Sequence, residues 1–168
     1  MIFADLSGLR LGSNGILCYN AGIMKNMRQG IYIAPNRCRP WNHELHVAEI
    51  LARNGHYVEF LPEGLLPCAD ILLDGVEFEI KSPERFTPNT LEHTIKDALK
   101  QSPNIIIDMS RIKKVSSAKM LNFLLNQVRK SKQIKCMLLI TRQEEIIDVK
   151  AFLWYNAGNE ALQGAEGA

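Results

Sequence analysis

The chain has 168 residues, 46% of them hydrophobic and 23% charged, which is ordinary globular composition with enough apolar mass for one core. It has no apolar run long enough for a membrane-spanning helix and no basic-then-apolar start of a secretion signal. Cys18, Cys38, Cys68 and Cys136 show no CxxC spacing, so reduced thiols in a cytosolic setting are expected rather than disulfides or a zinc site, and a formal charge of +2 is compatible with a nucleic-acid partner without requiring one.

Residues 1–40 carry Gly8, Gly12, Gly15, Gly22 and Gly30 between short apolar pieces such as Ile16–Tyr19 and Ile31–Ile33, the pattern of small strands or hairpins in an extension. Pro35, Asn36, Pro40 and Asn42 mark a boundary, after which 41–150 read as the main domain and 151–168 as a tail that frays over Gly158–Ala168. A helix is predicted over about His43–Asn54, ended by Gly55, with Leu45, Val47, Ala48, Ile50 and Leu51 supplying a broad apolar face. Strands follow at Tyr57–Leu61, about 69–73 and 76–81, the last two joined by the Asp74-Gly75 turn. Asn89, with Glu92 three positions on, is expected to open a second helix whose stripe is Leu91, Ile95, Ala98 and Leu99. Asn104–Asp108 is a nearly continuous apolar strand, about Ser116–Lys130 a third helix, and Cys136–Ile140 a last strand. The sum is an α+β fold: a mixed sheet with helices on its faces, core order αβββαβ plus a further αβ.

The chemistry concentrates at the hairpin. Side chains alternate along a strand, so Glu77, Glu79 and Lys81 face one way and Val76, Phe78 and Ile80 the other. The tight turn returns the first strand so that Asp70 approaches Glu79 and Lys81. Two carboxylates and a lysine at one end of a sheet suit a divalent cation and an activated water, the equipment of a metal-dependent phosphodiesterase. The same alternation also describes any strand with one solvated face.

Asp70 on the second strand of the αβββαβ core, with Glu79-Ile80-Lys81 on the third, resembles the PD-(D/E)xK nuclease superfamily, although Ala69 stands where that name has proline. Glu44, in helical register with Val47 and Leu51, is similar to the glutamate on the first helix of resolvase-like members. A further resemblance is to the C-terminal tRNase domain of contact-dependent growth inhibition toxins. It is carried by Glu79–Pro83, Thr94-Ile95, Ala98–Ser102, Asn104–Asp108 and Arg111, over roughly residues 42–142.

The resemblance implies a restriction-endonuclease-like fold and a metal-dependent endonuclease that cuts RNA, with tRNA as the expected substrate. It assigns Asp70 and Glu79 as ligands of Mg²⁺ or another divalent cation, Lys81 to water and phosphorane, and Glu44 and Gln101 as additional groups of the catalytic set. Ser82, Thr94, Arg111 and Lys113 are candidate substrate contacts, with Lys96, Lys100 and Lys114 extending a basic rim. Action in the cytosol, no membrane partner and an acidic neutralising immunity protein are the corresponding expectations, since a tRNA-cutting enzyme must be restrained at home.

Three other readings compete. The same site would serve a DNA nuclease of resolvase or restriction type. A metal-independent barnase-like ribonuclease would draw on His43, His46, His56 or His93, and a catalytically silent nucleic-acid- or protein-binding module is the third, against which the presence of Asp70, Glu79 and Lys81 together argues. His43-Glu44-Leu45-His46 has histidines three apart rather than the four a zinc helix needs, and Gly12–Gly15 lacks the Lys-Ser/Thr of a phosphate loop.

Overall fold

The computed structural model describes residues 10–11, 17–18, 30–33, 40–62 and 68–155, so the reading of Gly158–Ala168 and most of the glycine-interrupted start lie outside the described residues. The elements are β1 (Arg10–Leu11), β2 (Leu17–Cys18), β3 (Gly30–Ile33), α1 (Asn42–Arg53), β4 (Tyr57–Phe60), β5 (Ile71–Leu73), β6 (Val76–Lys81), α2 (Pro88–Ala98), β7 (Asn104–Asp108), α3 (Ser117–Lys130), β8 (Cys136–Ile140) and β9 (Ile146–Asp148). A further helix, α4, covers residues 149–155.

Seven strands form one mixed sheet in the order β3-β4-β5-β6-β7-β8-β9. The β4-β5-β6 meander is antiparallel, and β6, β7 and β8 run parallel, each pair linked by a helix. This is the αβββαβ order plus αβ, extended by β3, which pairs in parallel with β4, and by β9, which closes the other side antiparallel to β8. Part of the N-terminal extension thus belongs to the main sheet, and the first residues assigned to the tail are helical.

The two faces of the sheet bury two cores. Val47, Ile50 and Leu51 of α1 pack on Val58, Phe60, Ile71, Phe78, Ile80 and Ile106. On the other face α2 and α3 bring Leu91, Ile95, Met120 and Leu124 against Ile105, Ile107, Met137 and Leu139. Period-two alternation explains the split, because odd positions of β7 face α2 and α3 while Ile106 faces α1. On the second face the apolar cover comes from β7 and β8, whereas β5 and β6 present Leu72, Glu77, Glu79 and Lys81. That half of the floor holds the polar residues.

Local signals set the element ends. His56 N–H bonds Leu51 C=O at 3.2 Å and Gly55 N–H bonds Ala52 C=O at 3.0 Å, a Schellman ending with Gly55 at φ 94°. Asp74 and Gly75 both have positive φ, 50° and 85°, as a type I′ hairpin turn requires. The expected start of α2 at Asn89 is corrected: Thr87 caps the helix by accepting Thr90 N–H at 3.1 Å, and Pro88 occupies its first turn. Glu92 serves no capping box and instead accepts Gln127 Nε2–H at 3.2 Å from α3.

Candidate active site

The candidate site lies at the end of the sheet where β5 begins and β6 ends. Asp70 breaks the ladder locally. Its N–H donates to Phe78 C=O at 3.2 Å, its C=O accepts Leu61 N–H at 3.0 Å, and its Oδ2 accepts Ile80 N–H at 2.8 Å. Its backbone is thereby bonded to both neighbouring strands, and the carboxylate occupies a backbone donor that would otherwise be left over. Continuing the β5-β6 register places Asp70 opposite Glu79 on the same face.

Glu79 is only 1% exposed, so it does not belong to a solvated strand face. Its Oε1 accepts Lys81 Nζ at 2.5 Å and Gln101 Nε2 at 2.6 Å. Its Oε2 is buried and meets no N–H or O–H donor, the Asp70 carboxyl being the neighbour close enough to share a proton with Glu79. Burial pushes the carboxyl up to about 7. The Lys81 hydrogen bond opposes that shift, and the neighbouring Asp70 charge adds to it. A buried carboxylate with one oxygen doubly held and the other without a donor is poised for a cation or a proton.

Gln101 reaches Glu79 from the turn after α2 rather than from the helix itself, and its N–H is held by Ala98 C=O at 2.9 Å. The following residues tie that turn to the hairpin, because Ser102 Oγ and Asn104 Nδ2 both donate to Glu77 C=O, at 3.0 and 2.9 Å. Sequence reasoning did not identify this pair. Its signal was the polar Ser-Pro-Asn step between the helix and an apolar strand.

The remaining expected residues are distributed as follows. Glu44 sits at the start of α1, on the opposite face of the sheet. Its Oε2 accepts Trp41 N–H at 3.0 Å, which closes the first helical turn. Among the described residues no three His, Cys, Asp or Glu side chains gather as a metal-holding group. The Ser82 hydroxyl is buried without a partner directly after Lys81. Arg111 reaches the same segment, donating through Nη1 to Ser82 C=O at 3.4 Å while Nη2 pairs with Glu84. The Thr94 hydroxyl donates to Thr90 C=O within α2 at 2.9 Å. Lys113 is exposed, and its carbonyl accepts from Arg142 at 3.0 Å. Lys100 pairs with Asp97 at 2.7 Å. The structure therefore brings together Asp70, Glu79, Lys81 and Gln101, with Ser82 and Arg111 beside them. His56 lies at the far end of the sheet, its Nδ1 2.6 Å from Asp74 Oδ2 in the hairpin turn.

The sequence model of the family described as the contact-dependent growth inhibition CdiA C-terminal domain matches residues 67–146, the stretch that contains β5 to β8 and every member of this cluster. A solved structure described as the CdiA-CT/CdiI toxin and immunity complex from Burkholderia pseudomallei has the same fold. It is 19% identical, with a TM-score of 0.56, covering 70% of this chain and 96% of that one. No curated protein shows significant similarity to the chain. No helix among the described residues is long and apolar enough to cross a membrane.

Proposed function

We propose that this protein is a metal-dependent endonuclease toxin that hydrolyses phosphodiester bonds in RNA, with tRNA as its target. The observation that carries this reading is the buried Oε2 of Glu79, without a donor beside the Asp70 carboxylate, with Lys81 and Gln101 fixing the other oxygen. The match to CdiA C-terminal domains and the fold shared with a toxin support it.

The donor set fits a hard divalent cation. Such ions take one or two carboxylates and complete their shell with water and substrate phosphate oxygens, so Asp70 and Glu79 suffice. The raised Glu79 carboxyl fits as well, since a cation would remove the cost of two neighbouring carboxylates ionising together. When bound, the cation supplies Lewis-acid stabilisation of the phosphoryl group and a more acidic water. Lys81, held on Glu79 Oε1, carries a positive charge beside the carboxylates where it can orient the attacking water and offset charge on the phosphorane. Gln101 fixes the rotamer of Glu79 so that Oε2 keeps its direction. The Ser82 hydroxyl and the Arg111 guanidinium are the nearest groups for a substrate phosphate, Arg111 by exchanging Glu84 for it.

The solved relative is a toxin and immunity complex, and on that basis we extend the proposal to a dedicated inhibitor, acidic in character, that covers Arg111, Lys113 and Lys114. Incubating the purified protein with total RNA and with plasmid DNA, each with Mg²⁺ or EDTA, tests the substrate. Loss of a discrete tRNA band only with Mg²⁺ is expected. Cutting of plasmid alone would move the assignment to a DNA nuclease, and cutting of RNA in EDTA would move it to the histidines.

A further inference from the structure

The parallel part of the sheet lines up three connecting segments beside the candidate site. Lys81 of β6 is in register with Ile107 of β7, and Ile107 with Leu139 of β8, so segments 82–87, 109–116 and 141–145 leave the sheet at one edge. The carboxyl ends of parallel strands are where an open α/β sheet binds its ligands. Two arginines join the segments. Arg111 donates through Nη1 to Ser82 C=O at 3.4 Å and pairs through Nη2 with Glu84, tying the second segment to the first. Arg142 donates to Lys113 C=O at 3.0 Å and to Val115 C=O at 2.8 Å, tying the third to the second. The first turn of α3 joins them as well. Lys119 Nζ stands 5.7 Å from the centroid of the Phe86 ring, which meets Phe123 edge-on at 5.5 Å.

The surface assembled this way is cationic. Arg111, Lys113, Lys114, Lys119 and Arg142 are all exposed. The acids of these segments are engaged: Glu84 by Arg111, Glu144 by Arg53 of α1 at 2.8 Å, and Glu145 beside the Thr141 hydroxyl at 3.5 Å. Asp108, at the end of β7, is fully buried and accepts the Ser110 N–H and hydroxyl. Cations gathered at one edge repel one another, and a neutral amide would brace the carbonyls of Lys113 and Val115 as well as a guanidinium does. The arrangement suits a polyanion, to which Arg142 still offers N–H donors beyond the pair on those carbonyls. At the head of the surface the Ser82 hydroxyl is buried without a partner, next to Lys81 on Glu79. From β6 to β8 the sheet spans roughly 10 Å, which accommodates successive phosphates of one strand.

We propose that segments 82–87, 109–116 and 141–145, with the first turn of α3, form one track for the phosphodiester backbone of the substrate. It runs from Lys81 and Ser82 over β7 and β8 to Lys119 and Arg142. The proposal rests on the nuclease reading and brings Lys119 and Arg142 into substrate binding. Such a track reads charge and spacing rather than base identity, and it holds the strand in place against Asp70 and Glu79. Arg142 has a second part in it as the positioning residue of segment 109–116.

Anisotropy of fluorescently labelled tRNA in EDTA tests the track with cleavage suppressed. Arg142→Gln and Lys119→Gln should each raise Kd by about 3- to 10-fold and lower the slope of log Kd against log salt by about 1. Lys119→Arg should restore the wild-type slope. Lys132→Gln, between α3 and β8 at the opposite edge of the sheet, should change neither quantity. Because Arg142→Gln also loosens segment 109–116, Lys119→Gln, a change on the exposed first turn of α3, carries the decision. An unchanged Kd and slope in Lys119→Gln, or an equal loss in Lys132→Gln, would overturn the track. The expected losses in a protein that cuts neither RNA nor DNA would uphold the track and remove the nuclease reading. Mg²⁺-dependent cutting with unaltered binding in Lys119→Gln and Arg142→Gln would do the reverse.

Discussion

Gln101 donates to Glu79 Oε1 at 2.6 Å from a loop on another element, sharing that oxygen with Lys81 and leaving Oε2 without a donor. The arrangement separates holding from reacting within one carboxylate. Gln101→Ala removes one of the two donors without touching Asp70 or Lys81. It should lower kcat by about 10- to 100-fold, the scale of a misplaced catalytic group, while the far-UV circular dichroism spectrum stays that of the wild type. Wild-type turnover in this variant would show that Lys81 alone orients Glu79.

Asp70 combines a structural bond with a charge, and substitution can separate them. Asp70→Asn keeps an oxygen for Ile80 N–H and removes the charge facing Glu79. Cleavage should fall by about 100-fold or more, with the melting temperature in EDTA equal to or above that of the wild type. Asp70→Ala also strips the acceptor from Ile80 N–H, costing about 1–3 kcal/mol, and should melt below Asp70→Asn. Equal melting of the two variants would count against the Asp70–Ile80 bond.

The raised carboxyl of Glu79 makes a signed prediction for the metal-free protein. Unfolded, the group titrates near 4.5, and folded at about 7, so between these values the native state holds the extra proton. Stability therefore falls as pH rises through this window and levels off above it. Thermal melts in EDTA should show a lower melting temperature at the upper end of the window than at the lower end. Glu79→Gln should flatten that difference, and a flat wild-type profile would contradict the burial argument.

The far end of the sheet offers a stability test unrelated to chemistry. Asp74 Oδ1 accepts Tyr57 N–H at 2.8 Å, and Oδ2 lies 2.6 Å from His56 Nδ1, locking the hairpin turn to the α1–β4 junction. Asp74→Ala should cost about 1–3 kcal/mol in denaturant unfolding and leave turnover intact at temperatures where the variant is folded. A matching loss of turnover in the folded variant would tie this end of the sheet to catalysis.

The parts of the fold that were legible in the sequence are those with strong periodicity or strong punctuation. Asn104–Asp108 and Cys136–Ile140 are buried strands with continuous apolar runs, and Asp74-Gly75 is a turn whose backbone needs positive φ. The edge strands were harder for a physical reason. β9 is three residues long and pairs on one side only, and the exposed Ile31, Tyr32 and Ile33 of β3 read as a strand without revealing that it pairs with β4. The start of α2 was misplaced because Asn89-x-x-Glu92 mimics a capping box, whereas Thr87 followed by Pro88 is the stronger N-terminal pair. At the candidate site, alternation sufficed to put Asp70, Glu79 and Lys81 on one face. The Glu84–Arg111 pair and the Ser102 and Asn104 bonds to Glu77 join residues far apart in the chain, and no local pattern encodes them. Glu44 shares the register of Val47 and Leu51 and is buried with them, but its hydrogen bond to the Trp41 backbone is a capping contact that register alone does not encode.

In the proposed reaction Asp70 and Glu79 hold the divalent cation that drives phosphodiester cleavage. Single-turnover cleavage of end-labelled tRNA, measured for the wild type and Glu79→Gln across a Mg²⁺ titration, tests it most directly. No cleavage is expected in EDTA, with a saturable Mg²⁺ dependence in the wild type and a loss of about 100-fold or more in Glu79→Gln at saturating Mg²⁺. Cleavage by Glu79→Gln at the wild-type rate, or a wild-type rate indifferent to EDTA, would contradict it.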